Sequence, residues 1–251
     1  MLTKPKLFLR AADCRWASRY HRVFIDNGHA KHFRDWRDVL EAKARETAIA
    51  MYELLRPSER SWRAEAFKMS IPLLVTFVGG TTGQWRVDRI SAVIGEALPI
   101  VERLAVLEGR DRLPVDQDSW ALRGVTSNTR YTRRDEADSL IARQEGLERP
   151  QATRAALIPI RKTEAWWDLA QDERREVFEE QSKHIGIGLE YLPAVARRLH
   201  HCRELAEPFD FLTWFEYAPE DSNRFEELVM RLRATAEWRY VDWEVDIRLS
   251  R

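Results

Sequence analysis

The chain has 251 residues, and its 41 basic and 41 acidic side chains give a formal net charge of zero. This balance gives no overall attraction to nucleic acid or to an acidic membrane surface, so neither is expected as a partner. The longest apolar stretch, residues 71–78, is far too short to span a bilayer. Cys14 and Cys202 lie far apart and form no metal-binding spacing, which is typical of free thiols in the reducing cytoplasm.

The charge is unevenly divided along the chain. Residues 1–68 carry 15 basic and 9 acidic residues, whereas residues 69–251 carry 26 and 32. The start lacks the apolar core of a secretory signal, so no export signal is predicted. Residues 36–55 have apolar side chains at helical spacing and are predicted to form an amphipathic helix. We therefore expect 1–68 to be a basic, partly helical extension of a functional domain at 69–251, with Met69 a candidate translation start.

From the composition change onwards, predicted strands alternate with predicted helices. Apolar runs or two-residue alternation indicate strands, and spacing of three to four residues indicates helices. Strands are predicted over residues 71–78, 85–93, 120–127, 155–160, 209–217 and 238–249. Helices are predicted over residues 96–107, 133–144, 168–202 and 220–234. Alternating rather than uniformly apolar strands favour an α+β fold, in which helices cover one face of an antiparallel, ferredoxin-like sheet.

Two pairs of histidines are weak candidates for a metal site. His29 and His32 have the i,i+3 spacing of one helix face, but nothing nearby completes a ligand shell. His200 and His201 are adjacent, and adjacent helical residues diverge by about 100°, so the two cannot easily bind one ion. We interpret the second pair as cations near the negative end of a helix.

A stronger candidate is His184, which is followed by Gly186 and Gly188 within about one helical turn. Each glycine weakens a helix by ~1 kcal/mol relative to alanine, so the pair indicates close approach of another group, such as a flat ring. From the residues alone, a buried structural histidine is the favoured interpretation of His184, and a histidine beside a flat ring is the alternative. Arg197 follows Pro193 in apolar-periodic sequence, and it is either a salt-bridged helix residue or a cation that faces a cavity.

Several motifs, in order, resemble the chlorite dismutase family of haem-dependent oxidoreductases. They include RAALIPIRK at 154–162, Trp166-Trp167, DER at 172–174 before His184, YLP at 191–193 before Arg197, FDFLTWFE at 209–216, and LRAT at 232–235 with Glu237. The resemblance runs from about Ser70 to the end of the chain. The short segment before Trp120 is similar to the dimer-forming branch of the family.

This resemblance implies an α+β barrel of ferredoxin-like topology with helices on its outer face, haem b as cofactor, and a homodimer. His184 is implied to bind the haem iron, with Glu237 accepting the hydrogen of its other ring nitrogen. Arg197 is implied to be the distal arginine that attracts the small anionic substrate, chlorite, and holds it during conversion to chloride and dioxygen. The haem supplies the redox chemistry.

The resemblance also assigns three residues around the cofactor and leaves two rival functions. Lys162 and Tyr131 are implied to lie near the haem propionates, and Trp167 to pack near the cofactor. Coproheme decarboxylases of haem biosynthesis are similar in fold and proximal histidine, but they are expected to lack the distal arginine. A non-enzymatic haem carrier or sensor would bind haem tightly without rapid turnover of chlorite.

Overall fold

The computed structural model describes residues 72–109, 120–126 and 132–251. Several sequence predictions lie outside the described residues: the helix at 36–55, the pair His29 and His32, and the boundary at Met69. Tyr131 lies outside them too. Within the described residues, no helix is long and apolar enough to cross a membrane.

Eight strands of the described residues close into a barrel in which every neighbouring pair is antiparallel. They are β1 (Leu74–Gly80), β2 (Trp85–Ile94), β3 (Arg103–Glu108), β4 (Trp120–Thr126), β5 (Arg154–Lys162), β6 (Ala196–His201), β7 (Phe211–Tyr217) and β8 (Val241–Ser250). Their order around the barrel is β1–β3–β2–β8–β5–β7–β6–β4, and β4 pairs with β1 to close it. Closure satisfies the backbone groups that an open sheet would leave at its edges.

Five α-helices of the described residues lie between strands along the chain. They are α1 (Arg134–Arg143), α2 (Glu164–Asp168), α3 (Gln171–Arg175), α4 (His184–Glu190) and α5 (Ser222–Arg233). A π-helical turn, Glu176–Gln181, follows α3 and leads to α4. A 3-10 turn, Ala236–Tyr240, precedes β8. The predicted α+β class with an antiparallel sheet is confirmed.

The core has two layers because the central strands are buried on both faces. Successive side chains of a strand point to opposite sides, so Ala155 and Leu157 of β5 pack inside the barrel, whereas Ile158 and Ile160 pack on its outer face. The same alternation runs along β7. Helix α5 covers the outer layer with an apolar stripe at helical spacing, formed by Phe225, Leu228, Val229 and Leu232. Fully burying each such side chain stabilises the fold by ~1.5–3 kcal/mol.

Two predicted helices are wrong. Residues 96–107 contain no described helix and end in β3, because Leu104 is buried in the barrel by strands that lie far away along the chain. The helix predicted over 168–202 stops at Glu190, and Ala196–His201 form β6. Spacing that is compatible with a helix is overridden here by pairing with β7 and β4.

The interpretation of His200 and His201 as cations at a helix end is therefore also wrong. Consecutive residues of β6 point to opposite faces, so His200 packs edge-on against Phe77 inside the barrel, with ring centroids 5.1 Å apart. Burial lowers the pKa of His200 to about 4, although its Nδ1 donates a hydrogen bond of 2.9 Å to the carbonyl oxygen of Leu212. His201 points outwards and packs against Phe211.

Candidate functional site

A cavity lies between the outer face of the barrel and the helices that cover it. Strands β5, β6 and β7 form one wall, and residues of α4 and α5 lie opposite. Most of the lining is apolar, including Ile158, Ile160, Leu199, Phe211, Phe215 and Val229. Six ionisable side chains reach this lining: Lys162, His184, Arg197, His201, Glu237 and Glu244. An apolar cavity with a few converging polar groups is typical of a cofactor or small-molecule site.

His184 is held by a buried carboxylate at the start of α4. Its Nδ1 lies 2.7 Å from Oε2 of Glu237, and the ring of Phe178 stacks on the imidazole with centroids 4.5 Å apart. Because Nδ1 is engaged with Glu237, Nε2 is the nitrogen that remains for a group in the cavity. A carboxylate on one ring nitrogen and a metal on the other is the usual arrangement for histidine ligands.

Glu237 is itself fixed by a second cation. Its Oε1 lies 2.8 Å from Nζ of Lys162, and its backbone N–H donates a 2.9 Å hydrogen bond to the hydroxyl of Ser182. Only 5% of Glu237 and 4% of Lys162 is exposed. Burial alone raises the pKa of Glu237, but Lys162 and His184 outweigh it and lower the pKa to about 2. The carboxylate is therefore ionised at neutral pH, and the paired lysine compensates a charge that burial would otherwise penalise.

The local fold explains why these three groups meet. Lys162 ends β5, Glu237 lies in the 3-10 turn before β8, and β5 pairs with β8. The N–H of Thr163 donates a 2.8 Å hydrogen bond to the carbonyl oxygen of Tyr240, which aligns the turn with the end of β5. His184 begins α4 directly after Lys183, whose left-handed backbone, with φ of 53°, redirects the chain after the π-helical turn.

Arg197 enters the same cavity from β6. Its Nη1 is buried, and among the described residues it has no hydrogen-bond partner. Its backbone carbonyl accepts a 2.9 Å hydrogen bond from the side chain of Gln144, which ties β6 to the segment after α1. Burial lowers the pKa of Arg197 to about 10, with the charge of Glu179 opposing that shift, so the guanidinium stays charged at neutral pH. A buried cation with an unused N–H group is suited to binding an anion.

The two adjacent tryptophans have different surroundings. Trp166 lines the cavity with 1% of its surface exposed, and the ammonium of Lys162 lies 4.6 Å from its ring centroid. Trp167 packs behind the cavity wall, stacked on Phe211 at 6.0 Å, and its Nε1 donates a 3.3 Å hydrogen bond to Asp210. Trp166 is thus a lining residue that the sequence analysis did not single out.

The roles that the resemblance implies for three further residues stay predictions. These residues are Lys162, Tyr131 and Trp167. Lys162 has a definite partner in Glu237, and Trp167 contacts the cavity through Phe211. Tyr131 is not among the described residues. The structure therefore brings His184, Glu237, Lys162 and Arg197 to one cavity and adds Trp166 to them.

The residues around this cavity fit a haem. A haem needs an apolar slot for its faces and a nitrogen ligand for its iron, and a substrate that binds beside it needs polar groups. The cavity wall would supply the slot, and Nε2 of His184 would be the ligand, since Nδ1 is engaged with Glu237. Nη1 of Arg197 and Nε1 of Trp166 are buried N–H groups without hydrogen-bond partners in the described part of the chain, as expected where a bound group would satisfy them.

Comparison with known proteins agrees with the motifs and the geometry. The family model described as chlorite dismutase matches residues 106–251, more than half of the chain. The chain belongs to the chlorite dismutase family. A dimeric chlorite dismutase from Nitrobacter winogradskyi is 54% identical in sequence, with a TM-score of 0.66, and the match covers 70% of this chain and 99% of that one.

More distant relatives share the fold. A variant of the chlorite dismutase from Candidatus Nitrospira defluvii has 18% identity and a TM-score of 0.53, over 71% of this chain and 91% of that one. The chlorite dismutase of Ideonella dechloratans is 31% identical over 126 residues, which are 49% of this chain. The match spans 42% of the Ideonella protein.

Proposed function

We propose that this protein is a haem-dependent chlorite dismutase that converts chlorite into chloride and dioxygen, with haem b as its cofactor. The observation that carries the proposal is the guanidinium of Arg197, which lines the same cavity as His184 and has a buried, unused N–H group. A planar guanidinium carries a permanent charge and several donors, so it can both attract chlorite and orient it.

Each polar residue of the cavity has a distinct task in this proposal. His184 binds the iron through Nε2, and Glu237 fixes the ring tautomer and makes the imidazole a stronger donor. Lys162 keeps Glu237 ionised and immobile. Arg197 holds the chlorine oxyanion in a cavity whose apolar walls exclude bulk water. When bound, the haem supplies the redox chemistry of oxygen transfer.

The first prediction concerns the hydrogen bond between His184 and Glu237, because the carboxylate is proposed to tune the iron through the imidazole. In Glu237→Gln a neutral acceptor replaces the carboxylate, so the imidazole donates less charge and the ferric/ferrous midpoint potential should rise by on the order of tens of millivolts. Spectroelectrochemistry measures this shift. Glu244→Gln is the matched control, because Glu244 is a buried carboxylate of the same cavity that contacts Arg233 and Trp238 instead. Equal shifts in both variants, or none in Glu237→Gln, would remove Glu237 from this role.

The second prediction concerns residues 1–68 and the homodimer that we propose from the Nitrobacter relative, which is described as dimeric. The family match lies entirely beyond these residues. A chain that begins at Met69 should therefore bind haem with full occupancy and sediment as a dimer in analytical ultracentrifugation. Loss of haem or aggregation of the shortened chain would show that 1–68 contribute to the folded domain.

Two assays on one preparation test the proposed function against its nearest rival. Chlorite added to the haem-loaded protein should release dioxygen at an oxygen electrode. Coproheme with peroxide should give no three- or two-propionate products at a comparable rate, because the resemblance implies that coproheme decarboxylases lack the arginine that Arg197 supplies to this cavity. Rapid conversion of coproheme to haem b, without dioxygen from chlorite, would assign the protein to haem synthesis. Tight haem binding with neither activity would indicate a carrier.

A further inference from the structure

A hydroxyl group lies in the middle of the apolar wall that the barrel presents to the cavity. Thr213 of β7 is paired with Ile158 of β5 and with Leu199 of β6. Its neighbours two positions away along β7 are Phe211 and Phe215. Residues two apart on a strand, or directly opposite on neighbouring strands, share one face of a sheet. All five residues line the cavity, so the hydroxyl of Thr213 is surrounded by four apolar side chains.

This hydroxyl has no task within the described part of the protein. Among the described residues, no hydrogen bond joins the side chain of Thr213 to another group. Thr235 differs, because its hydroxyl donates a 2.7 Å hydrogen bond to the carbonyl oxygen of Leu232. Threonine and valine are both branched at Cβ and both common in strands. Since a hydroxyl removed from water without a partner costs free energy, packing in this wall alone would favour valine at position 213.

The register of the strands places the hydroxyl beside position 197. Arg197 pairs with Phe215, which is two residues from Thr213 on β7. Thr213 and Arg197 are therefore diagonal neighbours on one face, a relation in which the two positions lie about 7–8 Å apart. Backbone pairing fixes this relation, whatever the direction of the long Arg197 side chain. His184 enters the cavity from α4, opposite the wall, so a group bound by its Nε2 has the wall on its far side.

We infer that Thr213 is a second substrate-binding residue of this site, and that its hydroxyl donates a hydrogen bond to the anion that Arg197 attracts. The inference rests on the proposed function for the identity of the anion. A hydroxyl donates to an oxygen of chlorite while remaining neutral, so it orients the ion without adding charge. Two donors at different points of one wall restrict the rotation of a small, bent anion more than one donor does.

Fluoride and imidazole binding to the ferric haem-loaded protein separate the hydroxyl from the shape of the wall. Fluoride accepts hydrogen bonds, whereas imidazole bound through one ring nitrogen presents an N–H donor instead of an acceptor. Thr213→Val should weaken fluoride binding by about tenfold, the loss expected for one hydrogen bond to a charged acceptor. Imidazole binding should change by less than about twofold. An unchanged fluoride affinity, or equal losses for the two ligands, would overturn the inference.

Thr213→Ser is the matched control, because serine keeps the hydroxyl and loses only the methyl group. Its fluoride affinity should stay within about threefold of the wild type. A loss as large as in Thr213→Val would mean that the wall tolerates no change at this position, and the hydroxyl would then have no special role.

Urea unfolding of the full-length protein freed of haem tests whether the hydroxyl is reserved for a bound group. Thr213→Val should leave the unfolding midpoint unchanged or raise it, because no hydrogen bond among the described residues is lost. Thr235→Val should lower the midpoint, because it removes the bond to Leu232. A clear loss of stability in Thr213→Val would show that the hydroxyl is structural and would also refute the inference. The expected fluoride result in a protein that releases no dioxygen from chlorite would refute only the proposed function.

Discussion

His184→Ala is expected to fold and to lose its haem during purification. The substitution removes the nitrogen that we assign to iron, whereas Glu237 and Lys162 remain paired with each other at 2.8 Å. Loss of a residue that merely supports a metal ligand lowers metal affinity by about 10–100-fold, so loss of the ligand itself should weaken haem binding by on the order of 100-fold or more. The Soret band of the purified protein and titration of the haem-free protein with haem both measure this effect.

His201→Ala is the matched control, because His201 lines the same cavity from β6 and packs against Phe211. The control should retain haem. Added imidazole should restore a Soret band to His184→Ala, since the small ligand can occupy the space that the side chain leaves. A His184→Ala protein with full haem and an unchanged spectrum would show that the axial ligand lies elsewhere.

Arg197→Ala should still bind haem but turn over chlorite far more slowly. In the proposed function the guanidinium attracts and orients the anion, and removal of one such preorganised donor lowers turnover by on the order of 100-fold. The variant should also bleach sooner. In the proposed reaction one oxygen atom of chlorite would pass to the haem and leave hypochlorite. Hypochlorite that is no longer held by Arg197 would then escape and attack the porphyrin.

The neighbouring arginine provides the control. Arg198 points to the opposite face of β6 and pairs with Glu108 on β3, so Arg198→Ala removes the same charge without changing the cavity. Initial rates and the number of turnovers before bleaching are compared in wild type, Arg197→Ala and Arg198→Ala. Methionine, added as a hypochlorite trap, should protect Arg197→Ala more than wild type. Equal rates and equal bleaching in all three proteins would contradict the assigned role.

The strands that sequence patterns locate are those with clear alternation or an apolar run between turn residues. Strands predicted over 85–93, 120–127, 155–160 and 209–217 agree with β2, β4, β5 and β7 within about two residues. Strands β3 and β6 could not be predicted from local spacing. Their apolar residues are compatible with a helix, and only pairing with distant parts of the chain selects the extended form.

The candidate site was predictable only in part for a similar reason. The family resemblance names His184, Glu237 and Arg197, and the structure brings all three to one cavity. No local pattern shows that Lys162 would pair with Glu237, which lies 75 residues away. Sequence also could not choose between adjacent tryptophans, because side chains on the five-residue helix α2 differ in direction by about 100° and the orientation of that helix is set by tertiary packing.

In the proposed function, one cavity retains the two oxygen atoms of a single chlorite ion until they leave together as dioxygen. This retention is tested by mixing equal amounts of unlabelled chlorite and chlorite labelled in both positions with heavy oxygen, and by analysing the gas by mass spectrometry. A cavity that retains the anion beside Arg197 should give unlabelled and doubly labelled dioxygen and almost no singly labelled product. Abundant singly labelled dioxygen would show that the two oxygen atoms separate before dioxygen forms, and the absence of dioxygen would show that the protein is not a chlorite dismutase.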